Sequence, residues 1–173
     1  MKKTMLIKST IFIAAIVILF YGITTSEEKK VPPAPNGIEL PQGYKDWRLI
    51  SSSHREDNNT LRVILGNDAA IDAARQGKTN PWPDGVTFAK LVWKDSKHPK
   101  WATATVPGDF VHAEFMVKDA KKYAATGGWG FARWLGSEQK PYGNDASFVQ
   151  ECFNCHTPVK DNDYVFTKPS SLP

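Results

Sequence analysis

The feature that most constrains this chain is a five-residue run near its C-terminus, Cys152-Phe153-Asn154-Cys155-His156. Its two cysteines are the only ones in 173 residues. They lie three positions apart, and a histidine directly follows the second. This is the spacing of c-type haem attachment, in which both thiols add to the haem vinyl groups and the adjacent imidazole ligates iron. Because the haem is attached so close to the C-terminus, the residues on its distal side, opposite the histidine, must come from far upstream in the chain.

Two other interpretations of the cysteine pair are a redox or disulfide pair and half of a zinc site. The redox motif would be expected near a βαβ pattern, and a zinc site needs four ligands, usually with a second Cys or His pair at regular spacing. Neither companion pattern is seen in the sequence. The motif therefore predicts one covalently bound haem c, attached at Cys152 and Cys155, with His156 as an axial iron ligand.

The first 26 residues differ in kind from the rest of the chain. Lys2, Lys3 and Lys8 precede an apolar run over residues 11–21, as in a secretory signal. The run is short for a bilayer span of ~20 residues, and its cleavage pattern is poor. A cleaved signal peptide over 1–26 and a retained inner-membrane anchor over 4–25 both stay open. Positive residues before the apolar run predict that the remainder is exported to the periplasm.

The distribution of charge along the chain argues against a nucleic-acid partner. The formal net charge of +4 falls to +1 without residues 1–26, because they hold three lysines and no acids, and no Lys/Arg block with interleaved aromatics remains. Prolines over 27–39 predict an extended linker. Residues 40–173 are then of typical length for a single domain.

Between this linker and the cysteines the pattern predicts an α+β domain. β-branched and aromatic residues predict strands over 44–52, 60–66, 86–94, 101–106, 110–117 and 129–135. Helices are predicted over 68–76 behind an Asn67 cap, over 119–125, and from Asp145 into the cysteine pair. The expected fold is mainly antiparallel β-sheet with a few short helices, with the c-type haem held by a C-terminal helix.

Lys90 interrupts an apolar row. In strand alternation it shares a face with Val86, Phe88 and Val92. Two interpretations are open. Either the Lys90 amine reaches solvent at the sheet edge along its own methylene stem, or it is buried inside the domain as a nucleophile.

Glu114 shares a strand face with His112 and Met116, whereas the alternate residues are apolar. This face is either the solvated side of an antiparallel sheet or a functional surface on which Glu114 accepts protons. Met116 or His112 could also fill the sixth iron position and close the site. Arg62 is a further candidate, either as a surface ion pair or as a group holding an anion or a haem propionate.

Short motifs in a fixed order carry a family resemblance over most of residues 40–168. They are Leu40-Pro41, Tyr44, Trp47, Leu61-Arg62-Val63, Asp84-Gly85, Lys90, Glu114, Val117-Lys118-Asp119, Trp129-Gly130-Phe131-Ala132, the cysteine motif and Asp163-Tyr164-Val165-Phe166-Thr167. In this respect the chain resembles cytochrome P-460, the lysine-crosslinked haem family. The related cytochromes c-prime-beta share that fold.

The resemblance implies an antiparallel-sheet homodimer with a five-coordinate haem and an open distal face. It implies that Lys90 is bonded to a haem meso carbon, that Glu114 is the distal carboxylate and that Arg62 is a distal arginine. The activity implied is hydroxylamine oxidation, with electrons passing to a small cytochrome acceptor.

Two alternatives accompany this hypothesis. The first is a binding protein of the c-prime-beta kind, which holds nitric oxide or another diatomic gas without turnover. The second is a six-coordinate electron-transfer cytochrome closed by Met116 or His112.

Overall fold

The structure is a computed structural model that describes residues 30–171. The predicted signal peptide or anchor falls in residues 1–26, outside the described residues. Between residues 30 and 171, no helix is long and apolar enough to cross a membrane.

A six-stranded sheet forms the centre of the domain. Its strands are β1 (Arg48–Arg55), β2 (Thr60–Gly66), β3 (Thr87–His98), β4 (Trp101–Lys118), β5 (Trp129–Leu135) and β6 (Lys140–Pro141). Each strand pairs antiparallel with the next in the chain, so the spatial order is the chain order. The predicted antiparallel sheet is confirmed.

Two α-helices accompany the sheet, α1 (Asp68–Arg75) and α2 (Val149–His156). The described residues also form four short 3-10 helices, at Tyr44–Asp46, Ala124–Thr126, Ala146–Phe148 and Thr157–Asn162. The α+β prediction is therefore confirmed, including a helix that ends at the cysteine motif.

Asn67 starts α1 and ties it to the sheet. Its Oδ1 accepts hydrogen bonds from the Ala70 amide at 3.0 Å and the Thr87 amide at 3.1 Å. Its Nδ2 donates to the Gly85 carbonyl at 2.9 Å. One side chain thus satisfies a free amide of the helix and also joins the helix start to β3.

Each face of the sheet carries its own apolar cluster, because side chains alternate between the two sides of every strand. The cluster on the first face, which packs against α1 and α2, includes Ile50, Ile64, Phe88, Trp129 and Phe131 from the sheet and Ile71 from α1. The cluster on the second face includes Ala89, Ala113, Phe115, Ala132 and Trp134 from the sheet, with Tyr44 and Phe148 from two of the 3-10 helices. Because α2 packs beside the first face, the cysteine motif is brought to that side of the sheet.

The proline-rich stretch, predicted as a linker over 27–39, lies against the second face from residue 30 onward. Ala34 and Ile38 are buried there. The Pro32 carbonyl accepts a hydrogen bond from Trp134 Nε1 at 3.0 Å, and Asn36 Nδ2 donates to the Phe131 carbonyl at 2.8 Å. Ala34, between two prolines, and Ile38, after the last of them, are the apolar side chains that this segment buries.

Three of the predicted elements take a different form in the structure; in addition β1 and β3 extend beyond their predicted ends at 52 and 94, and the short strand β6 was not predicted. Tyr44–Asp46 is a 3-10 turn rather than a strand start, since the buried Tyr44 ring packs edge-on against Phe115. The two strands predicted over 101–106 and 110–117 form one long β4, in which Pro107 and Gly108 lie at a register shift. The helix predicted over 119–125 is reduced to the 3-10 turn Ala124–Thr126.

We expect Asn67→Ala to lower the free energy of unfolding by about 2 kcal/mol, because it removes the helix cap and the link to Thr87. Urea unfolding followed by circular dichroism measures this loss. Asp72→Ala is the matched control on the exposed side of α1, and it should change the free energy of unfolding by less than about 0.5 kcal/mol. Equal losses in the two variants would contradict the role of the cap.

Candidate functional site

A cavity of about 500 Å³ lies between the first face of the sheet and the C-terminal segment. The six predicted site residues all line it: Arg62, Lys90, Glu114, Cys152, Cys155 and His156. Its volume is within the roughly 300–1,000 Å³ of small-molecule and cofactor pockets. The structure thus brings together residues that are up to 94 positions apart in the chain.

The cysteine motif reaches the cavity on α2. Asp145 begins the preceding 3-10 turn, where its side chain accepts a hydrogen bond from the Ser147 amide at 2.8 Å, as predicted for the start of the C-terminal helix. Cys152 is partly buried, Cys155 is exposed, and both are free thiols. Residues three and four apart share a helix face, so both thiols and His156 are presented to the same cavity.

The His156 imidazole is held by a backbone carbonyl. Its Nδ1 lies 2.7 Å from the Tyr164 carbonyl oxygen, so Nδ1 carries the proton and Nε2 keeps a free lone pair. The ring packs against Phe131 and Phe166, with centroids 5.2 Å away in each case. Burial lowers the pKa of His156, and the Tyr164 hydrogen bond partly opposes that effect. A neutral imidazole with one nitrogen anchored is the form that ligates a metal.

A row of three charged side chains crosses the sheet at the cavity wall. Lys90 on β3 is directly opposite Glu114 on β4, and Glu114 is directly opposite Arg133 on β5. Lys90 Nζ forms an ion pair with Glu114 Oε2. Arg133 Nε donates to Glu114 Oε1 at 2.6 Å. Each carboxylate oxygen of Glu114 therefore has its own cationic partner.

The two cations determine the protonation of Glu114. Burial by itself raises the pKa of this carboxyl group, but the charges of Lys90 and then Arg133 outweigh it and bring the pKa to about 2. His112 Nε2 lies 3.6 Å from Glu114 Oε1. Burial is the main reason that the pKa of His112 falls to about 4. At neutral pH the row therefore holds one carboxylate between two cations, beside a neutral imidazole.

Arg133 was missed by the sequence-based prediction. Besides Glu114, it approaches Glu151 Oε1 at 3.4 Å, and its guanidinium lies 4.4 Å from the centre of the Tyr142 ring. The signal was present in the sequence, because Arg133 falls in the same alternation as Trp129 and Phe131. A charged residue in this apolar row of β5 is as unusual as Lys90 is in the apolar row of β3.

The remaining candidates take different positions. Met116 lines the cavity and packs against the apolar cluster of the first face. His112 instead lies beside Glu114. Arg62 lines the cavity from β2, where its Nε donates to Thr60 Oγ1 at 3.3 Å.

The chemistry of this cavity fits a haem. It combines two thiols at haem-attachment spacing, an imidazole with a free Nε2, and apolar walls that include Phe88, Phe131 and Phe166. Over residues 30–171, no group of three or more His, Cys, Asp and Glu residues is arranged to hold a bare metal ion. The donor set therefore matches an iron macrocycle better than a zinc site of four protein ligands.

In the form with a free Lys90 amine, we expect Glu114→Gln to destabilise the fold most at neutral pH. The folded-state pKa, about 2, lies below the ordinary value of 4.5. The contribution of the carboxylate is therefore complete above pH ~4.5 and is lost as the pH falls toward ~2. Urea unfolding at several pH values should show the gap between variant and wild type closing in acid.

The matched control is Glu138→Gln, at an exposed position outside the cavity. It should change the free energy of unfolding by less than about 0.5 kcal/mol at every pH. A destabilisation by Glu114→Gln that stayed constant down to pH ~2 would contradict the ion-pair account of Glu114.

Comparison with known proteins supplies the family. No match was found among curated protein sequences. The family model for Cytochrome P460 matches residues 41–167, which cover the sheet, both helices and every residue of the cavity wall. The matched span contains the cysteine motif, the row of Lys90, Glu114 and Arg133, and Tyr164, whose carbonyl accepts the hydrogen bond from His156. This chain therefore belongs to the cytochrome P460 family of haem cytochromes.

Proposed function

We propose that this protein is an exported mono-haem c-type cytochrome that oxidises hydroxylamine. Cys152 and Cys155 hold the haem covalently, His156 ligates its iron, and Lys90 is bonded to the macrocycle. When bound, the haem would supply the redox chemistry of the reaction. The side chains around the haem would bind and orient the substrate and accept its protons.

The observation that carries this proposal is the contact between Lys90 and Glu114 inside the cavity. A lysine and a carboxylate that are partly buried among apolar side chains are costly unless they meet. Here they meet beside the thiols and imidazole of the C-terminal segment. A cavity meant only to hold an apolar gas would not need them. This pairing supports turnover, with a proton acceptor built into the wall, over simple binding.

Glu114 is the proposed proton acceptor, and its partners tune it. With a pKa of about 2, a carboxylate is a weak base at neutral pH, because a base works best when its pKa is near the working pH. Lys90 is the strongest of the charges that lower this pKa. An amine bonded to the macrocycle would not carry that charge, so Glu114 would be a stronger base in the crosslinked form than beside a free Lys90 ammonium.

Arg133 orients the same carboxylate throughout. Its hydrogen bond to Glu114 Oε1 leaves Oε2 for Lys90 or, once Lys90 is bonded elsewhere, for a substrate N–H or O–H group. Arg62 adds a second guanidinium at the cavity wall.

The proposal extends to the surroundings of the protein. Electrons leave to a small cytochrome acceptor, the working unit is a homodimer, and the domain lies in the periplasm. The acceptor and the homodimer are proposed from the family resemblance. The periplasmic location is proposed from the positive charges and apolar run in the sequence of residues 1–26.

An electron-transfer role is the second candidate, since Met116 lines the cavity with a thioether that can ligate iron. The two proposals differ in the resting spectrum. Five-coordinate, high-spin iron supports the enzyme, whereas six-coordinate, low-spin iron that reverts in Met116→Leu supports the carrier.

We expect Lys90→Arg to abolish the bond to the haem, because a guanidinium is a poor substitute for the nucleophilic lysine amine. Protease digestion and mass spectrometry of the wild-type protein should give a single species joining the Lys90 peptide and the Cys152–His156 peptide through the haem. In Lys90→Arg the two peptides should separate, while the haem stays on the cysteine peptide. Lys94→Arg, an exposed change on the same strand, is the control and should leave them joined. Separate peptides in the wild type would contradict the bond.

We expect Glu114→Gln to retain haem and to lower kcat for hydroxylamine oxidation by roughly 10²–10⁴-fold, the usual contribution of a positioned base. Steady-state kinetics with an artificial electron acceptor measures this. Glu39→Gln, at an exposed position, should keep wild-type kcat. Unchanged turnover in Glu114→Gln would remove Glu114 from its proposed role.

A further inference from the structure

Lys118 and Asp163 form a buried ion pair that the proposed chemistry does not use. Lys118 Nζ lies 2.7 Å from Asp163 Oδ1 and 2.9 Å from Oδ2. The two residues are only 6% and 7% exposed. Taking both charges out of water is expensive, and apolar residues of similar volume usually do as well for stability. The pair therefore calls for an explanation other than stability.

The pair lies at the start of the turn that holds His156. Asp163 and Tyr164 both have left-handed backbone conformations, with φ of 50° and 61°. Aspartate tolerates this region better than most residues, but a bulky tyrosine adopts it only under constraint. In this conformation the Tyr164 carbonyl accepts the hydrogen bond from His156 Nδ1 at 2.7 Å.

Several contacts fix Asp163 to the sheet. Its Oδ2 also accepts a hydrogen bond from the Trp82 amide at 2.8 Å, and its backbone carbonyl accepts one from Trp129 Nε1 at 2.8 Å. The Lys118 ammonium lies 4.8 Å from the centre of the Trp129 ring. Lys118 is the last residue of β4, so the pair ties the turn directly to the central sheet.

Tyr164 is constrained from its other side by Gly127. A Cβ added at Gly127 would come within 2.2 Å of the Tyr164 ring, so only glycine allows the ring to approach there. The same ring packs against Phe153 within the cysteine motif, with centroids 5.4 Å apart. The turn is thus held between the sheet and α2, and its position determines where the Tyr164 carbonyl points.

We propose that the Lys118–Asp163 pair positions the His156 imidazole, by holding the Asp163–Tyr164 turn so that the Tyr164 carbonyl sets the tautomer and orientation of the ring. The inference rests on the proposed role of His156 as the iron ligand. A hydrogen bond from Nδ1 makes the imidazole a more basic ligand. A loosened turn weakens that bond, so the iron–histidine bond weakens and the reduction potential of the haem rises.

The test compares three variants of the haem-loaded protein: Asp163→Asn, Lys118→Met and the double variant. Asparagine keeps the tolerance for a left-handed backbone and an acceptor for Trp82, but removes the charge. Asp163→Asn leaves the Lys118 ammonium buried without its partner, and Lys118→Met does the same to the Asp163 carboxylate. The double variant removes both charges and should regain most of the lost thermal stability. The readouts are the iron–histidine stretching band of the ferrous protein in resonance Raman spectra, the reduction potential and Tm.

If the pair positions His156, the double variant recovers Tm but keeps a band that is broadened and shifted to lower frequency, together with a raised potential. If the pair only balances charge, the double variant regains the wild-type band and potential along with Tm, and the proposal is overturned. Asp68→Asn is the matched control, since it breaks an exposed ion pair with Arg48. It should leave all three readouts unchanged.

His156→Gly separates this inference from the proposed ligation. Loss of the band in His156→Gly, together with a wild-type band in the double variant, would overturn the positioning role while His156 stays the ligand. A band that survives His156→Gly would show another residue on the iron and would overturn both. None of these readouts requires hydroxylamine turnover, so the positioning role can hold even if the protein only binds a diatomic gas.

Discussion

The pairing of Lys90 with Glu114 across β3 and β4 is the interaction on which the site depends. Both residues lie on a sheet face that also carries apolar side chains such as Phe88 and Phe131. Such charges persist in a partly buried place only when paired. The antiparallel register puts Glu114 between Lys90 and Arg133 in a single row, so a covalent change at one end of the row changes the basicity of its centre.

The C-terminal segment completes the site from the opposite side. α2 brings both thiols and His156 to the cavity, and the following turn bends back to the sheet through Asp163 and Tyr164. The two halves of the site are therefore coupled through one strand. β4 carries Glu114 four residues before its end and Lys118 at its end, so the proposed base and the support of the proposed iron ligand belong to the same strand.

Much of this arrangement could be predicted from the sequence. Two-residue alternation correctly separated the apolar face of β4 from the face with Glu114, because side-chain direction in a strand is a local property. The C-terminal helical segment was likewise predicted with Asp145 at its start, where Asp145 caps the 3-10 turn that leads into α2, since capping is local. Arg133 was missed because its importance comes from standing opposite Glu114, and strand register depends on the whole sheet. The continuous β4 was missed because a sheet absorbs Pro107 and Gly108 at an irregularity.

The sequence by itself determined the chemistry available to this protein: two thiols and an imidazole at haem spacing, and single charges placed in apolar rows. Spacing along the chain and alternation within a strand are covalent and local, so they can be inferred without a fold. Only the tertiary structure decided which of those charges meet. The row from Lys90 to Arg133 and the buried Lys118–Asp163 pair join segments 19 to 45 residues apart. Their contacts arise from sheet register and burial, which are properties of the folded domain as a whole.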